Sequence, residues 1–202
     1  DKDPNPDRLY RRILIAAVWI AAIPVLGKYI ILLISGALLL TIDANLLTAA
    51  AFLACMVIFV YPLLLLGTVT PSLAKYCTEN LQTNGKIIGT LGAFNTIGSI
   101  LGTFLPTFVT IPAVGTAITF LIFSGILLLL GAVYFVSTGT KKAGTLMACL
   151  LFLFCAVSGN SNSFAFWNHS LLYEGESIYN YLQVRDTADS RILSTNVLFG
   201  VQ

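Results

Sequence analysis

Lys28 is the single charged residue inside any long apolar stretch of this sequence, and a lone ammonium at membrane depth costs at least ~2.5 kcal/mol on insertion scales. Such a charge needs a reason. Either it faces a polar cavity, opened by a bend at Pro24–Gly27, and holds an anionic group, or the run breaks at Gly27 and the side chain snorkels to an interface. Because no Asp or Glu lies in an apolar run, a partner on a helix outside this chain is the next alternative. A second set of residues is spaced for a helix surface. Gly85, Gly89, Gly92, Asn95, Thr96, Ser99, Gly102 and Thr103 recur three or four apart and share one face. Gly85/Gly89 and Gly98/Gly102 have the G-x-x-x-G spacing that lets two helix backbones approach closely in lipid, which makes Gly85, Gly89, Gly92, Ser99 and Gly102 helix-packing residues. The sharper alternative puts Asn95 and Thr96 in a polar conduit, since an amide near mid-membrane must find a hydrogen-bond partner.

Other chemistry is argued against. Cys55, Cys149 and Cys155 lie in apolar runs and Cys77 in a polar loop, with no C-x-x-C pair and His169 as the one histidine, so a zinc or disulfide framework is not expected. No nucleophile–base pair, phosphate loop or metal cluster is legible, and neither catalytic nor metal residues are assigned. Asn168-His169-Ser170 fits the glycosylation pattern.

The elements that must carry these residues are membrane helices. The chain is 57% hydrophobic and only 10% charged, against roughly 25% charged in soluble domains, so water is not its solvent. The net charge of +2, with the cations at helix ends rather than on one face, excludes nucleic acid as a partner. The first apolar run, Ile13 to Leu40, has 28 residues and as one helix of ~42 Å exceeds a ~30 Å hydrocarbon core, so it must tilt, kink or protrude. The second extends from about Asn45 to Val69 and the third from about Ile87 to Ile111. Pro112-Ala113-Val114-Gly115 makes a tight turn into the fourth, Thr116 to Val136, so that the third and fourth form a hairpin. A fifth run, Ala143 to Ser158, is short for a span. The expected fold class is an all-α membrane protein of about five transmembrane helices over residues 1–159, followed by a β-hairpin segment over 160–202. In that segment Ile178, Tyr181-Leu182, Val184 and Ile192-Leu193 flank the polar turn Asp186–Ser190. The aromatic patch Phe164, Phe166 and Trp167 suits the membrane interface.

Lysine and arginine fix an orientation. Residues 2, 8, 11 and 12 precede the first helix, 75 and 86 lie between the second and third, and 141 and 142 between the fourth and fifth, whereas the turns around Asp43 and at Pro112–Gly115 have none. The positive-inside rule then gives a multi-pass protein of the cell membrane with a cytoplasmic N-terminus and an extracytoplasmic C-terminal segment. The start at Asp1-Lys2-Asp3-Pro4, without methionine, reads as an excerpt of a longer protein.

Particular stretches resemble a known family. Pro62-Leu-Leu-Leu-Leu-Gly67-Thr-Val-Thr-Pro71, Gly85-Lys-Ile-Ile-Gly89-Thr-Leu-Gly92-Ala-Phe-Asn95-Thr-Ile-Gly98-Ser-Ile-Leu-Gly102 and Ile111-Pro-Ala-Val-Gly115 resemble the membrane half of bacterial fused spermidine synthase-like proteins, whose helices look like part of a major-facilitator bundle. Glu176-Ser-Ile-Tyr179-Asn-Tyr-Leu-Gln183-Val184, with Arg191-Ile-Leu193 and Gln202, is similar to the small N-terminal β-domain of polyamine aminopropyltransferases. The resemblance implies a parent that transfers an aminopropyl group from decarboxylated S-adenosylmethionine to putrescine. It places the catalytic aspartate and the Rossmann domain beyond Gln202, and assigns co-substrate contacts to Asn180 and Gln202. Two departures are plain: the family's glutamine after the tyrosine is Asn180 here, and Arg191 to Gln202 is longer than the usual spacing. The orientation also conflicts with the chemistry, because it puts the soluble part outside while the co-substrate is made in the cytosol. The alternative function is a transporter-like or scaffold membrane module carrying a non-catalytic domain. The expected partners are the lipid bilayer, the missing helices and Rossmann domain of the parent, and a polyamine, with the oligomeric state open.

Overall fold

A computed structural model describes residues 6–38, 44–77, 84–160, 171–176, 180–187 and 190–195. The turn at Asp43, Phe164, Phe166, Trp167, the Asn168–Ser170 triplet and Gln202 lie outside them. The chain forms helices α1 (Pro6–Leu38), α2 (Ala44–Gly67), α3 (Val69–Cys77) and α4 (Asn84–Leu105), a π-helical segment (Pro106–Thr110), α5 (Ile111–Thr138) and α6 (Lys142–Asn160), then strands β1 (Leu171–Glu176), β2 (Tyr181–Thr187) and β3 (Ser190–Thr195). Among the described residues, four continuous helical stretches are long and apolar enough to cross a membrane: Pro6–Ile31, Thr48–Cys77, Asn84–Thr138 and Lys142–Gly159. The third and fourth apolar runs of the sequence are joined in the 55-residue stretch Asn84–Thr138.

α1 is the central post. It packs on α2, α5 and α6, and it does so through small residues: Ala16, Ala17 and Ala21 are fully buried, which allows the neighbouring helices to come close. α5 runs antiparallel to it. Tyr134 near the end of α5 donates to Asp7 Oδ1 at 2.9 Å and stacks on Tyr10 with ring centroids 3.9 Å apart, while Gly131 abuts Leu14. α6 runs parallel to α1, from Ala148 in the core with Leu14 and Ala17 up to Gly159 beside Pro24 and Val25. α2 is pinned to α1 by the Trp19 indole, which donates to the Ile58 carbonyl at 3.0 Å and lies against Tyr61.

Two glycines shape the chain path. Gly139 ends α5 in the left-handed conformation (φ 70°), its N–H donating to the Val136 carbonyl, the usual helix stop where a side chain is disfavoured. Gly115 (φ 82°, ψ 168°) sits in a region open essentially to glycine alone. The bend there brings the Thr119 and Thr110 hydroxyls to 3.1 Å, whereas nine residues of straight helix would separate them by about 13 Å. The turn expected at Pro112–Gly115 is therefore present, but the packed hairpin is corrected: α4 makes its main contacts with α3 and the π-helical segment, and none of its residues is buried. The break considered at Gly27 is likewise absent, because α1 continues through Pro24 and Gly27 to Leu38.

The polar tail folds as a three-stranded antiparallel sheet in the order β1-β2-β3. The expected hairpin is β2–β3, with Asp186 opposite Arg191 and Thr187 opposite Ser190. β1 is additional to the sequence reading. Its register against β2 slips between Leu171 and Tyr173, a bulge that bends the strand and sets Glu174 opposite Gln183.

Candidate functional site at the bundle–sheet junction

Lys28 is 4% exposed, with its ammonium 5.1 Å from the Tyr29 ring centroid. It lies 16 positions beyond Arg12 on the same helix, about 24 Å at 1.5 Å per residue, so it sits toward the end of α1 remote from the basic first turns. The void next to Gly27 is a different feature. It measures about 20 Å³ and is lined by Trp19, Ala22, Ile23, Leu26, Gly27, Ile30 and Ile58, an apolar space with room for about one water.

The sheet meets the bundle at α5, on which β1 packs. Glu174 and Gln183 face the same side, as directly opposed residues of antiparallel strands do. Gln183 is fully buried. Its Oε1 accepts from Arg185 Nη2 at 2.9 Å and its Nε2 donates to the Tyr181 hydroxyl at 3.1 Å, so residues 181, 183 and 185, alternating along β2, form a hydrogen-bonded row. Arg185 Nε is buried without a hydrogen bond among the described residues, leaving one donor of the guanidinium for a further acceptor. The opposite face is apolar and open, with Tyr173 59% and Leu193 64% exposed. One face of the sheet thus joins a carboxylate, an amide and a guanidinium from β1 and β2.

The remaining sequence candidates are elsewhere. Asn180 is exposed immediately before β2. On α4, a β-carbon built at Gly85, Gly89, Gly92, Gly98 or Gly102 meets nothing within 4 Å, and Asn95, Thr96 and Ser99 are exposed. The expected helix neighbour of this stripe is not among the described residues. Its hydroxyls are satisfied within the helix: Thr96 donates to the Gly92 carbonyl at 3.0 Å, Ser99 to Asn95 at 2.8 Å and Thr103 to Ser99 at 2.8 Å, the back-bonding open to Ser and Thr in helices. The stripe opens as a shallow depression of about 370 Å³ lined by Gly85, Lys86, Gly89, Thr90, Ala93, Phe94 and Ile97. Among the described residues no group of His, Cys, Asp and Glu could hold a metal ion. Glu174, Gln183 and Arg185 were missed in the sequence; the available signal was the polar–apolar alternation of Tyr181-Leu-Gln-Val-Arg185.

No family model and no solved structure matches the chain. Over 70 residues it is 49% identical to a probable polyamine aminopropyl transferase of Bifidobacterium longum (strain NCC 2705), a match covering 35% of this chain and 16% of that protein. The relationship to spermidine synthase-like proteins expected from the sequence motifs holds over that segment.

Proposed function

We propose that this chain is the membrane module, with the first strands of the attached domain, of a spermidine synthase-like protein. The whole protein transfers an aminopropyl group from decarboxylated S-adenosylmethionine to putrescine. The observation that carries the reading is the 49% identity to a probable polyamine aminopropyl transferase. A membrane setting is supported by the four long apolar helices and by their outward faces, on which Leu33, Phe94, Val136 and Val157 are 69–74% exposed; apolar surface on that scale needs a lipid solvent. Residues 1–159 form the spanning bundle and 160–202 begin the soluble part. The unpacked stripe on α4, with Asn95 and Thr96, takes a helix of the whole protein within a larger major-facilitator-like bundle. Asn180 and Gln202 approach the co-substrate, and a polyamine is the acceptor.

The test is expression of the whole protein in a host lacking its own spermidine synthase. Membranes given decarboxylated S-adenosylmethionine and putrescine should form spermidine and methylthioadenosine in equal amounts, measured by mass spectrometry. Absence of both products, with the protein folded and inserted, rejects the enzyme reading and leaves the transporter-like or scaffold module.

A further inference from the structure

Arg8, Arg11, Arg12, Ile15 and Trp19 follow one another on α1 at i, i+3, i+4, i+7 and i+11, the spacing that sets residues on one face of a helix. That face is uncovered. Arg8, Arg11, Ile15 and Trp19 are exposed and Arg12 is half-buried, while Leu9, Ile13, Leu14, Ala16 and Ala17 of the other face are buried in the bundle. Along its length the open face changes character. Three guanidiniums occupy the first turns, and apolar side chains follow, with Trp19 about 12 Å beyond Arg11 at 1.5 Å per residue.

Helix physics alone disfavours these arginines. Like charges three and four residues apart repel on a helix surface, and cations in the first turns oppose the positive end of the macrodipole. The neighbours bring no relief: Lys141 and Lys142 stand at the start of α6, which packs on α1. Among the described residues α1, α5 and α6 hold a single carboxylate, Asp7, and it accepts from the Tyr134 hydroxyl. The cluster therefore calls for an anion from outside these helices, and the guanidinium fork matches a phosphate in shape as well as in charge.

We propose that the basic face of α1 binds an anionic phospholipid, with its phosphate held by Arg8, Arg11 and Arg12 and its acyl chains lying along Ile15 and Trp19. The cationic turns and the apolar track share one face, so the ligand that fits is an amphiphile with a negative head and a hydrocarbon tail, rather than a soluble anion. The inference rests on the membrane reading of the bundle and goes beyond it by naming the class of lipid selected. It is independent of aminopropyl transfer, since none of its residues needs a polyamine or a nucleoside to act.

The experiment uses the full chain carrying Trp167→Phe, which leaves Trp19 as its single tryptophan. The protein is reconstituted in phosphatidylcholine vesicles containing either phosphatidylglycerol with brominated chains or, at the same mole fraction, brominated phosphatidylcholine. Bromine quenches indole fluorescence on contact, so the two series give the relative association of the two lipids beside Trp19. Phosphatidylglycerol should be favoured on the order of tenfold, and Arg8→Gln and Arg11→Gln should each lower that ratio about fivefold, the effect of one cation at an anionic surface. Arg11→Lys should keep a preference for phosphatidylglycerol, and millimolar inorganic phosphate should leave it unchanged. Unaltered quenching by brominated phosphatidylcholine in the variants shows that they remain folded and inserted. Equal quenching by the two lipids, or a preference untouched in both glutamine variants, overturns the site while leaving the membrane reading intact. Loss of the preference in inorganic phosphate reassigns the arginines to a soluble anion and overturns the lipid. Absence of quenching by either lipid overturns the membrane reading, and the proposal with it. Should one glutamine variant fail to insert, the other and the comparison of the two lipids decide the question.

Discussion

At Gly131 there is no room for one more carbon. A β-carbon there would lie 2.6 Å from Cγ and Cδ2 of Leu14, and Leu14 is confined in the core with Ala17, Leu128, Phe135 and Ala148. Gly131→Ala should therefore lower the stability of the purified chain by about 1–3 kcal/mol, the range for overpacking, seen as a drop in the thermal midpoint in detergent. Gly98→Ala is the control, since nothing approaches its β-position. It should leave the midpoint unchanged or raise it, because alanine is favoured over glycine in a helix by about 1 kcal/mol. The same contrast shows what residue types alone disclose. Lys28 announces itself as a charge in an apolar run, but the covered face of the sheet could not be read, since the alternation of β2 shows that two faces differ and not which is covered. Usual practice buries the apolar face. Here Gln183 is buried and Leu193 exposed.

At the scale of elements, hydropathy locates the helices well: the fifth run at Ala143–Ser158 became α6, Lys142–Asn160. Packing partners were not legible, since helices apolar on every side lack the one-faced pattern that points an amphipathic helix at its core. α4 is the clearest case. Its glycine spacing suggests close packing, yet the Gly115 bend directs α4 away from α5. Gly115→Ala forces an L side chain into φ 82°, ψ 168° and should cost about 1–3 kcal/mol, measurable as a lower thermal midpoint, while Thr119→Val, which removes the link to Thr110, should cost about 1 kcal/mol or less. The α1–α5 contact can be checked by a double-mutant cycle. Asp7→Asn and Tyr134→Phe should each destabilise by about 1 kcal/mol and the pair by less than their sum, as expected for two groups sharing one hydrogen bond.

The whole molecule has two unlike ends. Arg8, Arg11 and Arg12 open α1, Lys141 and Lys142 follow α5, and the antiparallel and parallel packing of α5 and α6 on α1 gathers these five cations at one end of the bundle. In a cysteine-free background, Cys placed at the exposed Ser190 should react with an impermeant maleimide in intact cells, and Cys at the exposed Thr138 only after permeabilisation. Protection of the Ser190 site until the membrane is opened would place the sheet in the cytosol. Time enters as well. Asp7 and Tyr134 touch across 127 residues, so at the ~5–20 residues per second of translation Asp7 emerges from the ribosome roughly six to twenty-five seconds before the residue that completes its surroundings. For that interval the face of α1 that α5 will cover stands open, and whatever receives the nascent chain must shelter it until Tyr134 has been synthesised.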